Sequence, residues 1–141
     1  MTTTTLDPYL IFNGNCRQAM DFYAKTLGGK VEMMMTHGES PMKDQCPESH
    51  RDQVMHSAVS VAGRMIMASD TMPGQPYDGI RNASIALSFP TVAEGTATFK
   101  ALAEGGSIFM DLTPTFWADA FGMCTDKFGM SWMVVGGPKQ F

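Results

Sequence analysis

The chain has 141 residues, 44% of them hydrophobic, and a formal net charge of −4. A chain of this length matches one ordinary domain that hides roughly two thirds of its unfolded surface, so no disulfide framework is needed. The odd, widely spaced Cys16, Cys46 and Cys124 argue against such a framework and against a C-x-x-C zinc pair, and fit a reducing compartment.

Ten Lys and Arg residues scattered singly give no basic stripe for phosphates, so nucleic acid is not an expected partner. No segment approaches the ~20 apolar residues of a membrane span, and residues 1–10 carry threonines where a signal peptide needs a basic start and an apolar run. A cytoplasmic protein whose partners are small molecules or other proteins is expected. Fourteen methionines are the compositional oddity; several alternate in strand-like runs, as in Met65-Ile66-Met67, and unbranched thioethers suit either core filling or a plastic pocket.

After an unstructured threonine tail, the apolar run 8–12 predicts a first strand, with Pro8 tolerable only at its start. Asn15 followed by Gln18 resembles a capping box, and Ala19, Phe22, Tyr23 and Thr26 or Leu27 recur at helical spacing until Gly28-Gly29 closes the helix. A second strand over 30–36 leads into a polar, aperiodic stretch at 37–53, a long loop expected to act as a cover or mobile segment. Strands three and four are expected at 55–62 and 65–69, joined by a Gly63-Arg64 turn. After a Pro- and Gly-rich connector the pattern restarts: strand five at 83–89, a helix opened by the capping box Thr91-Val92-Ala93-Glu94 and closed by Gly105-Gly106, and strand six at 107–112. Residues 115–135 supply strands seven and eight around a tight Asp126-Lys127-Phe128-Gly129 turn.

The two halves superpose on their double glycines. Phe22 then stands opposite Phe99, and Gly63-Arg64-Met65-Ile66-Met67 opposite Gly129-Met130-Ser131-Trp132-Met133. The first copy is longer between these anchors, and the 37–53 loop absorbs the difference. The expected fold is α+β: tandem βαβββ modules, about 8–70 and 82–136 with a connector at 71–81, whose curved mixed sheets form a cleft. One helix covers one face of each sheet, so the other apolar face has to be covered by pairing.

This plan, the Phe22-Tyr23 pair before Leu27-Gly28-Gly29, and the string Phe116-Trp117, Phe121-Gly122-Met123, Asp126-Lys127-Phe128-Gly129 and Trp132 resemble the PhnB-like branch of the vicinal oxygen chelate superfamily. That superfamily shares the glyoxalase/bleomycin resistance/dihydroxybiphenyl dioxygenase fold. The resemblance implies a homodimer. It also implies a divalent metal held by inward-facing His, Gln and Glu, but the corresponding positions fall at Pro8, Ser84, near Met133 and near residues 68–70. A register one residue off in either direction brings Tyr9, Ala83 or Val134 there. Neither set restores a ligand shell, so no metal and no cofactor are expected. Some members carry a demethylubiquinone methyltransferase label, yet the chain has no strand followed by a Gly-x-Gly loop opening a helix.

His56, expected at a strand start, is the candidate catalytic residue, as general base or ligand-orienting group, with a backbone-bonded structural histidine as the simpler reading. His37 and His50 are expected to be solvated. The ligand-binding candidates are Tyr9, His56, Phe116, Trp117, Phe121 and Trp132, with core packing the favoured role for Trp132. Asp126 is expected to cap its own turn, and Cys16 and Cys124 to be inert buried thiols. The leading expectation is a metal-free small-molecule binding protein. The alternatives are a metal-dependent lyase, isomerase or dioxygenase, and a protein whose aromatics serve only folding and dimerisation.

Overall fold

The computed structural model describes residues 3–139, which divide into two compact units at Gly79/Ile80. In the first, β1 (Tyr9–Phe12), α1 (Cys16–Thr26), β2 (Lys30–Thr36), β3 (Val54–Val61) and β4 (Arg64–Asp70) form a four-stranded sheet of order β1-β4-β3-β2 with one helix. β1 runs parallel to β4, and the other pairs are antiparallel. The second repeats the plan with β5 (Ser84–Phe89), α2 (Val92–Ala103), β6 (Ser107–Thr113), β7 (Ala118–Thr125) and β8 (Ser131–Pro138) in the order β5-β8-β7-β6. The expected βαβββ repeat and α+β class are therefore observed, with most strand ends displaced by one residue and β8 running on to Pro138, three residues past the expected stretch.

Each helix is held by its apolar stripe. Cys16, Ala19, Met20 and Tyr23, at helical spacing, are fully buried and face a sheet surface built from Leu10, Phe12, Val59, Ile66 and Ala68. Burying side chains of the size of Met20, Phe12 and Tyr23 contributes roughly 1.5–3 kcal/mol each. In the second unit Phe99 and Leu102 of α2 play that part against Ala118, Ala120, Trp132 and Val134. Gly122 makes room for them: a Cβ there would stand 2.9 Å from the Phe99 ring.

Three local expectations are corrected. Asn15 makes no side-chain cap to α1. Asp70, at the end of β4, does that work from across the sheet: its Oδ1 accepts from the Gly14 and Cys16 amides at 2.9 and 3.0 Å, and its Oδ2 from the Val54 amide at 2.9 Å. The β3–β4 turn is built on Ala62 and Gly63, both at positive φ (50° and 78°), rather than on Gly63 and Arg64.

The 37–53 loop carries three 3-10 turns, His37–Glu39, Lys43–Gln45 and Glu48–His50. The first carries a full capping box between Thr36 and Glu39. The Thr36 amide and hydroxyl both donate to the Glu39 carboxylate, which holds it below the usual carboxylate range. His37, expected in solvent, is buried there. Its amide donates to the Gln53 carbonyl, so the loop closes on itself and turns the imidazole inward.

Of the threonine tail, Met1 and Thr2 lie outside the described residues. The end of the tail is held: Asp7 accepts from the Met65 amide and pairs with Arg64, which also donates to the Leu6 carbonyl.

Candidate functional site

Strand register places the site residues. Residues directly opposite one another share a face of the sheet. Tyr9 pairs with Met67, Met67 with Ala58, and Ala58 with Met33; on the same face His56 pairs with Met35, and Ile11 with Ser69. This is the face turned away from α1, because Leu10, Ser57 and Ala68 fill the opposite one. It is apolar yet wet: Tyr9 is 44%, Ile11 40% and Met33 37% exposed. The methionine runs at 33–35 and 65–67 thus place Met33, Met35, Met65 and Met67 on one face of the sheet, all four at least partly exposed.

On this surface the structure joins two of the six candidates. The Tyr9 hydroxyl lies 3.1 Å from His56 Nδ1, and the two rings stack at 5.7 Å between centroids and 22° between planes. Among the described residues the His56 Nε2 has no hydrogen-bond partner. When Tyr9 donates to Nδ1, Nε2 carries the proton and offers a donor; in the other tautomer Nε2 is an acceptor and the phenol proton is free. The pair therefore presents hydrogen-bonding capacity of either sense in otherwise apolar surroundings.

The second unit brings three more candidates together. Trp117 packs edge-on against Phe116, at 4.8 Å and 85°, and against Phe121, at 5.3 Å and 71°. Phe116 is 70% exposed, so this cluster offers a large aromatic surface.

Trp132 does not join it. The indole is fully buried, and its Nε1 donates to Asp126 Oδ2 at 2.8 Å. Asp126 Oδ1 accepts from the Phe128 and Met130 amides at 2.8 and 3.0 Å, so this buried carboxylate ties the β7–β8 turn to the core and is not a free acid. Burial pushes the Cys16 and Cys124 thiols up to about 11; the Ser57 hydroxyl offsets part of this for Cys16, and the Asp126 charge adds to it for Cys124. Both are protonated at neutral pH and supply no nucleophile.

The residues at the superfamily's metal positions do not fit a cation. Pro8 and Met133 are poor ligands, Ser84 is a neutral hydroxyl, and Asp70 faces the α1 side with its oxygens occupied by backbone amides. Among the described residues no three His, Cys, Asp or Glu side chains gather closely enough to hold a metal ion.

A family model described as 3-demethylubiquinone-9 3-methyltransferase matches residues 4–135. Protein YjdN of Escherichia coli (strain K12) is 39% identical over 139 residues, covering 92% of each chain. Among solved structures, protein PA1353 from Pseudomonas aeruginosa superposes with a TM-score of 0.88 at 48% identity, over 94% of this chain and 97% of that one. The PhnB protein from Bacillus cereus superposes at 0.77 and 22% identity, over 94% and 98%. A glyoxylase/bleomycin resistance protein/dioxygenase domain from Frankia sp. EAN1pec shares the fold at 0.61 and 12%, over 96% and 99%.

The tandem modules have the fold of the glyoxylase/bleomycin resistance protein/dioxygenase domain. The chain belongs to the PhnB-like family whose model carries the 3-demethylubiquinone-9 3-methyltransferase description. The description implies an adenosyl cofactor, and the residues do not fit one held at a helix start in the Rossmann manner: the amides opening α1 are taken by Asp70, and α2 is capped by Thr91.

What the sequence reading missed is the methionine face as a unit and the anchoring part of Asp70. The period-two methionines signalled the first. Nothing local signals the second, because Asp70 reaches amides 16, 54 and 56 positions away along the chain.

Proposed function

We propose that the protein is a cytoplasmic, homodimeric small-molecule binding protein that works without the superfamily's usual metal. Its ligand lies against the methionine-lined open face of the first unit, with Tyr9 and His56 as the polar contacts. Phe116, Trp117 and Phe121 give the second unit an aromatic surface of its own. The observation that carries this reading is the Tyr9–His56 pair: a polar, ligand-accessible couple set in an apolar surface. Exposed apolar area on both units supports dimerisation, and three free cysteines support a reducing compartment. His56 is also the group that would carry proton transfer if a reaction is catalysed there.

The reading is tested by thermal unfolding across a broad metabolite panel, together with the metal content of freshly purified, untagged protein. At least one compound is expected to raise the melting temperature, equivalent to about 2.7 kcal/mol at a hundredfold excess over its Kd. Tyr9→Phe and His56→Ala are each expected to weaken it about tenfold. Stoichiometric divalent metal that is lost on His56→Ala would overturn the reading in favour of a metal-dependent enzyme. A panel in which nothing raises the melting temperature would leave the aromatics to folding and dimerisation.

A further inference from the structure

On the α2 side of the second unit's sheet, away from Phe121 and Met133, lies a cavity of about 470 Å³ between α2 and β6. Its cause is a pair of glycines. A Cβ on Gly95 would stand 3.3 Å from Gly136 Cα, and one on Gly136 3.0 Å from Val92 Cα, so α2 lies close on β8. Drawn to that side, the helix leaves the edge strand β6 uncovered: Ile108, whose register partner Cys124 is buried under α2, is 51% exposed.

The cavity's walls combine an apolar floor with opposite charges. Phe99, Ile108 and Leu112 form the floor; Lys100 stands on the α2 wall and Asp111 on the β6 wall. Among the described residues neither Lys100 nor Asp111 is in an ion pair, whereas Asp119 at the same rim is already paired with Lys139 at 3.6 Å.

We infer that this groove binds a small zwitterion with an apolar body, of the amino-acid kind. Its carboxylate faces Lys100, its ammonium faces Asp111, and its side chain covers Ile108 and Leu112. Charge complementarity selects this class. A lone cation meets the Lys100 charge, a lone anion meets Asp111, and a neutral apolar molecule leaves both unanswered. The site is independent of Tyr9 and His56, which lie in the other unit.

The test is amide NMR of the full chain titrated with L-phenylalanine, with phenethylamine and 3-phenylpropionate as single-charge comparators. L-phenylalanine is expected to shift the amides of Thr96, Lys100, Ile108 and Leu112, and to bind about tenfold more tightly than either comparator. Lys100→Gln and Asp111→Asn are each expected to weaken it by a similar factor, with melting temperatures unchanged because both side chains are exposed. Tyr9→Phe is expected to bind it like the parent. Comparators that bind as well as L-phenylalanine, charge variants that bind it unchanged, or no shift at these amides would overturn the inference. So would shifts that follow protein concentration instead of the probe, since a second copy of the chain would then cover the groove.

Discussion

Replacing Gly106 by alanine is expected to destabilise the protein by about 4 kcal/mol, while the same change at its neighbour Gly105 costs about 1 kcal/mol. The two glycines close α2 for different reasons. Gly105 holds φ at +77°, and a Cβ there would meet only the flexible Lys127 side chain at 3.4 Å, so alanine adds little beyond left-handed backbone strain. Gly106 is pressed against β7: its Cβ would fall inside contact distance of the Thr125 carbonyl oxygen and 2.8 Å from the Asp126 carbonyl carbon. Backbone cannot yield as a side chain does, so the chain must shift where the β7–β8 turn is anchored. The first unit repeats the arrangement, with Gly28 at φ +67° and Gly29 against the Ser60 carbonyl. Urea unfolding of the two variants checks the contrast; a Gly105→Ala variant as costly as Gly106→Ala would contradict it.

The second large effect is expected at Asp126. Alanine there leaves the Phe128 and Met130 amides and the Trp132 indole without their acceptor, in a place where the carboxylate itself is only 3% exposed. At about 1–3 kcal/mol for each buried unsatisfied donor, partly relieved by entering water, the loss is about 4 kcal/mol. Asp126→Asn is milder, about 2 kcal/mol. It keeps one oxygen for the two amides but turns an NH2 group toward the indole N–H. Because Trp132 reports directly on this contact, unfolding followed by tryptophan fluorescence measures both the stability and the loosening of the turn. A loss below about 1 kcal/mol for Asp126→Ala would show that the turn holds without the carboxylate.

The repeat, the element order and the sheet-forming strands were legible in the sequence because they rest on periodicity and on glycine punctuation, both local properties. The double glycines were visible as helix ends, but not the reason for the second glycine of each pair, which is an approach to a strand distant in the chain. Local reasoning failed where a distant group displaces a nearby one. Asn15 looked like a cap, yet Asp70 satisfies those amides from β4. His37 looked solvated, yet the Thr36–Glu39 box and the bond to Gln53 turn it inward.

The site was legible as residue types and not as a geometry. His56 and Tyr9 could be singled out separately, but their contact spans 47 positions and depends on the β1–β4–β3 register. Trp132 and Trp117 look alike in composition. One is taken into the core by a carboxylate and the other left half-buried in an aromatic cluster, a difference that only the fold decides.

The central claim, a ligand held on the methionine face beside Tyr9 and His56, is tested most directly by methionine methyl NMR with the compound that most raises the melting temperature. The methyl signals of Met33, Met35 and Met67 are expected to move on titration, those of the buried Met20 and Met130 to stay in place, and the same movement to need about tenfold more compound in His56→Ala. Binding that leaves the three open-face methyls unmoved, or that persists unchanged in His56→Ala, would contradict the claim.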